Sequence, residues 1–215
     1  MNVLIITGGD VELASAAGFL KSYESPYVVA VDGGLDAMEK LGLSPDCIVG
    51  DFDTIEADRL RPYREQGIRF ETHRPEKDYT DTELAVLFAL ELPDVTRIVV
   101  LGALGKRFDH ALGNVHSLFH ALKRQIPCEL IDRYNRIFLT DRETVFEKKE
   151  AFGKYISFVP FDGTVEGLTL TGFKYPLDHV TVPAGNTRCI SNELLEDRAV
   201  MCLEKGIMIC IESRD

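Results

Sequence analysis

The feature that most constrains this chain is a change of rhythm near Asn135. Upstream of it, apolar runs of strand length alternate with stretches of helical periodicity. The strand-like runs cover residues 2–6, 27–31, 47–49, 97–101 and 128–131, and helical patterns cover 11–21, the stretch after Gly34 to about 41, 82–92 and 110–124. Strands joined through helices run parallel, and right-handed crossovers put those helices on the faces of the sheet. Downstream, short runs at 137–140, 144–147, 154–160, 164–170, 189–194, 199–204 and 207–212 follow one another, separated by Asp-Gly, Glu-Gly, Thr-Gly and Lys-Gly turn signals. The expectation is an α/β fold with two domains. Residues 1–134 should form a mostly parallel sheet flanked by helices, and residues 135–215 an antiparallel β-sandwich. A hairpin is expected at Lys205-Gly206, between two apolar runs.

Composition narrows the partners. A formal net charge of −11 over 215 residues offers no field to attract a polyanion, so nucleic acid is not an expected partner. A small anionic ligand stays admissible if a divalent cation supplies the positive charge. No apolar run approaches the roughly 20 residues that a membrane helix needs, so no membrane partner is expected. Residues 1–6 read as a buried first strand rather than a leader. Five scattered cysteines, without Cys-x-x-Cys spacing, read as free thiols in a reducing compartment, the cytoplasm.

Ligands of open parallel sheets bind beyond the carboxyl ends of the strands. There the sequence repeatedly places glycine and aspartate: Thr7-Gly8-Gly9-Asp10, Asp32-Gly33-Gly34, Gly50-Asp51-Phe52-Asp53 and the stretch from Gly102 through Lys106, Arg107 and Asp109. Any one of these would pass as an ordinary turn. Four at strand ends on one rim point to a ligand cleft. In an extended segment Asp51 and Asp53 project to the same side, and converging carboxylates favour a hard cation such as Mg²⁺.

Lys77-Asp78-Tyr79-Thr80-Asp81 opens the 82–92 helix. Thr80 and Glu83 match a capping box and Asp81 suits the helix dipole, which leaves Lys77 and Asp78 for ligand contacts. Lys106 and Arg107 precede the next helix, where loop amides and basic side chains would receive phosphate. Leu112, Val115, Phe119 and Leu122 are expected to face the core, with His116 and His120 facing solvent. Ser191-Asn192-Glu193 is a weak signal by itself. There is no P-loop, no dinucleotide fingerprint and no nucleophile elbow.

Taken in order, these motifs strongly resemble the thiamine pyrophosphokinase family. The matching pieces are Asp32-Gly33-Gly34, Pro45-Asp46 leading to Gly50-Asp51-Phe52-Asp53-Thr54, Lys77-Asp78-Tyr79-Thr80-Asp81, Gly102 to His110 with Asn114, and Ser191-Asn192-Glu193. The resemblance spans essentially the whole chain. It implies an α/β nucleotide- and metal-handling catalytic domain followed by a thiamine-binding β-sandwich. The implied reaction is diphosphoryl transfer from ATP to thiamine, with AMP leaving, in a homodimer. It implies Asp51, Asp53 and Asp81 as Mg²⁺ ligands with Asp32 nearby. Lys77 and Arg107 would neutralise phosphate. Gly33, Gly34, Thr80, Gly102, Lys106, His110 and Asn114 would line the ATP side, with Asp109 along the same cleft. Ser191 and Asn192 would bind towards thiamine or nucleotide. Asp78 and Asp109 are both candidates to take the hydroxyl proton. The chain departs from some relatives in having no Trp to stack on thiamine. Two rival readings are a phosphohydrolase, because Asp51-Phe52-Asp53-Thr54 resembles an Asp-nucleophile loop with its Thr one place early, and a non-catalytic thiamine or nucleotide sensor.

Overall fold

The computed structural model describes residues 1–51, 57–72 and 79–215, and the chain divides into two compact units, Met1–Arg133 and Tyr134–Asp215. In the first unit, β1 (Asn2–Ile6), β2 (Tyr27–Val31), β3 (Cys47–Gly50), β4 (Arg69–Thr72), β5 (Arg97–Leu101) and β6 (Cys128–Ile131) lie in the order β6-β5-β1-β2-β3-β4. Each neighbouring pair is parallel. Sheets of this kind bury both faces, which is why β1, β2 and β5 read as near-continuous apolar runs rather than alternating ones. Leu4, Ile5, Ile98 and Val99 are fully buried, each contributing about 1.5–3 kcal/mol of transfer free energy. Among the described residues, five helices join the strands: α1 (Leu13–Leu20), α2 (Gly34–Lys40), α3 (Ala57–Glu65), α4 (Asp81–Glu91) and α5 (Phe108–Lys123). α2 and α4 pack on β1 and β2, while α5 packs on β6 and α4.

Two elements here escape the sequence pattern. α3 carries Pro62 in its interior and is tied down largely by polar contacts, Arg59 to Glu39 (3.0 Å) and Tyr63 to Glu39 (2.6 Å), with Leu60 as its buried apolar anchor. Among the described residues, β4 is an edge strand of mixed polarity that pairs with β3 alone. The face of α5 also differs from expectation. Its buried residues are Asn114, Ser117, Leu118 and Ala121, while Leu112 is 46% exposed. Apart from Leu118, the inward residues are small or polar, as close packing of α5 on α4 and β6 requires, and Val115, Phe119 and Leu122 are only partly buried.

The second unit is an antiparallel two-sheet structure made of β7 (Asn135–Thr140), β8 (Thr144–Glu147), β9 (Tyr155–Pro160), β10 (Val165–Thr171), β11 (Leu177–Val182), β12 (Asn192–Glu193), β13 (Arg198–Cys202) and β14 (Met208–Ser213). Within it, β12-β9-β14-β7 face β11-β10-β13-β8 across one apolar core. Phe146, Phe158 and Phe173 meet edge to face at its centre, with centroids 5.5–5.8 Å apart. The expected Lys205-Gly206 hairpin is not a hairpin. β13 pairs with β10 and β8, and β14 pairs with β7 and β9, so the turn carries the chain from one sheet to the other. Residues 189–194 supply only the two-residue β12. β11 was hidden by its polar, exposed Asp178 and His179 and by irregular pairing with β10. Among the described residues, no helix is long and apolar enough to cross a membrane. All five cysteines are free thiols.

Candidate active site

The sheet of the first unit reverses its winding between β1 and β5: the chain builds outward from β1 through β2, β3 and β4, then returns to β1's other side with β5. The loops leaving β1 and β5 diverge there and open a crevice at the carboxyl edge. The cleft measures about 550 Å³, within the usual range for a small-molecule site of about 300–1,000 Å³. Thr7, Gly8 and Gly9 line it from β1, Asp32 from β2, Asp51 from β3, Tyr79 to Thr82 from the start of α4, and Gly102, Ala103, Gly105 to Arg107, His110 and Asn114 from β5 and α5.

Close backbone approach explains the glycines. A Cβ on Gly50 would lie 1.9 Å from Asp32 Oδ1, so the absent side chain is what admits that carboxylate beside β3. Gly34 would place a Cβ 2.0 Å from the Ile6 carbonyl oxygen. It lets α2 start against the end of β1, and neither it nor Gly33 is among the lining residues. Asp32 and Lys106 hold left-handed backbone, with φ of 43° and 65°. That conformation costs about 1 kcal/mol or more per non-glycine residue and is sustained only where surrounding structure imposes it.

The carboxylates and the cations occupy different parts of the cleft wall. Asp81 sits in the first turn of α4, where Thr80 Oγ1 accepts the Glu83 amide at 3.2 Å. The capping box is only half formed, because Glu83 Oε1 turns to His120 Nε2 on α5 at 2.8 Å. His120 is therefore a strut between helices rather than a solvent-facing residue, which the sequence pattern missed; its i+4 neighbour His116 is exposed. On the basic side, Lys106 Nζ lies 3.6 Å from Asp10 Oδ1, linking the loops after β1 and β5. Arg107 is the N-cap of α5 and offers no side-chain cap. Its Nε and Nη2 instead grip Asp109 Oδ1 and Oδ2 at 3.1 and 2.5 Å, and Asp109 Oδ1 also accepts the His110 amide at 2.9 Å. The hydrogen-bonded guanidinium holds the Asp109 carboxyl down to about 2. Asn114 is buried and spends its amide NH2 on the Ala103 carbonyl at 2.8 Å, which fixes the loop after β5.

The helix termini divide the labour further. α1 does not offer its N-terminus to an anion, because the Glu12 carboxylate accepts the Ala14 and Ser15 amides at 3.1 and 2.8 Å. α5, entered through Lys106 and Arg107, is the helix start at which this cleft presents positive charge.

Asp32, Asp51 and Asp81 are hard oxygen donors, with neither Cys among the lining residues nor any group of three or more His, Cys, Asp or Glu poised to cage a metal among the described residues. Mg²⁺ is commonly held by one or two carboxylates together with substrate phosphates and water, so this donor set fits it. Asp53, Lys77 and Asp78 lie outside the described residues.

In the second unit, Ser191 is exposed, with φ of 57°, and its amide donates to Ser157 Oγ at 2.9 Å. Asn192 is buried. Its Oδ1 accepts the Tyr175 and Glu193 amides at 3.0 and 2.9 Å, and its Nδ2 donates to the Tyr175 carbonyl at 2.9 Å. Asn192 thus clamps the Tyr175 backbone, and Ser191 is the member of the pair whose side chain meets solvent.

Comparisons with known proteins agree with this architecture. The family model described as thiamin pyrophosphokinase, catalytic domain, matches residues 21–130, and that described as thiamin pyrophosphokinase, vitamin B1 binding domain, matches residues 143–207. Thiamine pyrophosphokinase of Bacillus subtilis (strain 168) is 39% identical over 188 residues, covering 87% of each chain. Thiamin pyrophosphokinase 1 of Caenorhabditis elegans is 26% identical over 199 residues, 88% of this chain and 80% of that one. Among solved structures, thiamine pyrophosphokinase from Bacillus subtilis superposes with a TM-score of 0.88 at 37% identity over the whole of both chains. The enzyme from Geobacillus thermodenitrificans does so with a TM-score of 0.86 at 32% identity, over 100% of this chain and 98% of the other. This chain belongs to the thiamin pyrophosphokinase family of enzymes.

Proposed function

We propose that this enzyme transfers a diphosphoryl group from ATP to thiamine, giving thiamine diphosphate and AMP, and that it uses Mg²⁺ to do so. The observation that carries the reading is one cleft, at the winding reversal of a parallel sheet, in which Asp32, Asp51 and Asp81 share the wall with Lys106, Arg107 and His110. Carboxylates alone would repel a polyphosphate, and cations alone would not hold a metal. Together they suit a metal-complexed tetra-anion.

Asp51 and Asp81, with Asp53 from the same motif as Asp51, would hold the Mg²⁺, and Asp32 supports them from β2. Bound there, the ion neutralises charge on the polyphosphate oxygens. Lys106 and Arg107 bind phosphate from the start of α5, with Lys77 assigned the same work by its motif. Asn114 keeps the β5 loop in place for them. Gly34 acts through backbone packing at α2, with Gly33 as the N-cap of that helix, and Thr80 through the cap that orients Asp81. Transfer of this kind depends on alignment of the attacking hydroxyl and on charge stabilisation rather than on protein covalent chemistry. The hydroxyl proton leaves to a carboxylate, for which the motifs offer Asp78 and Asp109. Recognition of thiamine is assigned to the second unit, at Ser191 with Asn192 as its support, consistent with the vitamin B1 binding model over residues 143–207. A homodimer and a cytoplasmic setting follow from the family resemblance and the thiol content.

Incubation with ATP, Mg²⁺ and thiamine tests the reading directly. AMP and thiamine diphosphate in equal amounts are expected. ADP with thiamine monophosphate, or phosphate release without thiamine consumption, would overturn it.

A further inference from the structure

The Arg107–Asp109 pair has a geometry that decides between two roles for Asp109. A guanidinium presents five N–H donors in a rigid plane, with two edges that can each take a bidentate acceptor. Asp109 takes the Nε/Nη2 edge. That leaves the Nη1/Nη2 edge, the end of the fork, for a second anion. Arg107 is 70% exposed and carries a long, rotatable side chain, so without such a hold it would sample many orientations at the mouth of the cleft. Asp109 is also poorly suited to accept a proton. Both its oxygens are already engaged, Oδ1 by Arg107 Nε and the His110 amide, Oδ2 by Arg107 Nη2. An effective general base has a proton affinity near the working pH, and the guanidinium holds this carboxyl far below that range.

We propose that Asp109 is a positioning residue: it clamps one edge of the Arg107 guanidinium so that the other edge is pre-set to bind phosphate oxygens, and it is not the acceptor of the thiamine hydroxyl proton. An exposed ion pair contributes little to folding stability, so the consequence of this clamp lies in ligand binding. Arg107 binds the anion, and Asp109 acts through it. Of the two motif carboxylates, Asp78 is then the one left to accept the proton.

The inference rests on the diphosphoryl-transfer reading, and its test separates the two. Wild type, Asp109→Asn, Arg107→Ala and the double variant are compared by initial rates at varied MgATP, by kcat against pH, and by calorimetric binding of MgATP without thiamine. Both residues are exposed, so folding should survive each change. For Asp109→Asn we expect KM for ATP and the MgATP Kd to rise about tenfold, kcat to stay within about threefold, and the pH profile to keep its shape. In the Arg107→Ala background the same change should have no further effect, because the only group it acts through is gone. A fall in kcat of several orders of magnitude with loss of an ionisation from the profile would make Asp109 the proton acceptor and end the proposal. Equal penalties with and without Arg107 would also end it. If the wild type makes no thiamine diphosphate, the functional reading fails, and the binding cycle still decides whether Asp109 acts through Arg107.

Discussion

Replacing Gly50 with alanine should disable the site through a residue that touches no ligand. The added Cβ would lie 1.9 Å from Asp32 Oδ1 and 2.9 Å from its Cγ. Ordinary contact begins near 3.4 Å, so one partner must give by about 1.5 Å. The methyl is fixed to the last residue of β3, a strand paired to β2 through Val49 and to β4 through Gly50 itself, whereas the carboxylate is the end of a side chain, so Asp32 moves. Displacing a catalytic group by about 1 Å costs on the order of 100-fold in rate, or about 2.7 kcal/mol of barrier. We therefore expect kcat/KM for Gly50→Ala to fall about 100-fold, while thermal unfolding remains cooperative. The control is Asp32→Ala, which removes both clashing atoms. Adding Gly50→Ala to it should change the remaining activity by less than about threefold, because the coupling runs through the lost carboxylate. Any backbone cost of alanine at position 50 is present with or without Asp32 and cancels in the cycle. A Gly50→Ala enzyme within about threefold of wild type, or an equal loss in both backgrounds, would refute the reasoning.

Three other outcomes follow from the structure. Asp81→Ala should lower turnover by two or more orders of magnitude and weaken the Mg²⁺ dependence with little change in melting temperature, since Asp81 is partly exposed in a first helical turn; near-normal Mg²⁺ titration curves would remove it from the metal site. Phe158→Ala opens the centre of the three-ring cluster and should cost about 3–5 kcal/mol, read from the urea midpoint of the second unit; a loss under about 1 kcal/mol would mean the rings are not the centre of that core. The Asp109 carboxyl, held at about 2 against an ordinary 3.8, binds its proton less tightly folded than unfolded, so the Arg107 pair stabilises fully above about pH 4 and loses that contribution as pH falls towards 2. Carboxyl-detected NMR titration should show this midpoint, and Arg107→Ala should return it to the ordinary range. An unchanged midpoint in that variant would assign the shift to another cause.

Much of the first unit was legible because its signals are local. Near-continuous apolar runs in β1, β2 and β5, each with glycine or aspartate within two residues of its end, report a buried parallel strand and the turn after it. The elements that escaped depend on partners far away in sequence. β4 is a strand because β3 offers it an edge, and α3 is anchored by Glu39 of α2 rather than by a strong apolar stripe. The Lys205-Gly206 turn has hairpin chemistry, yet pairing of β14 with β7 and β9 draws its second arm into the other sheet. The site shows the same division. Asp32, Asp51, Asp81, Lys106 and Arg107 could be named from their place at strand and helix ends. The clamps of Asn192 on Tyr175, Asn114 on Ala103 and Glu83 on His120 could not.

By itself, the sequence determined the alternation of buried strands and helices upstream of Asn135, α3 and β4 apart, together with the glycine-aspartate rim beyond the strands and the inventory of carboxylates and cations available there. Period, chirality and turn preference act over a few residues, so they can be read along the chain. The tertiary structure alone decided which of those groups meet. It set Asp32 in the space left by Gly50 and His120 against Glu83, and it bound Asp109 to Arg107, two residues away in the chain. Those contacts follow from how whole strands and helices pack and turn their side chains, and no short window of sequence contains that information.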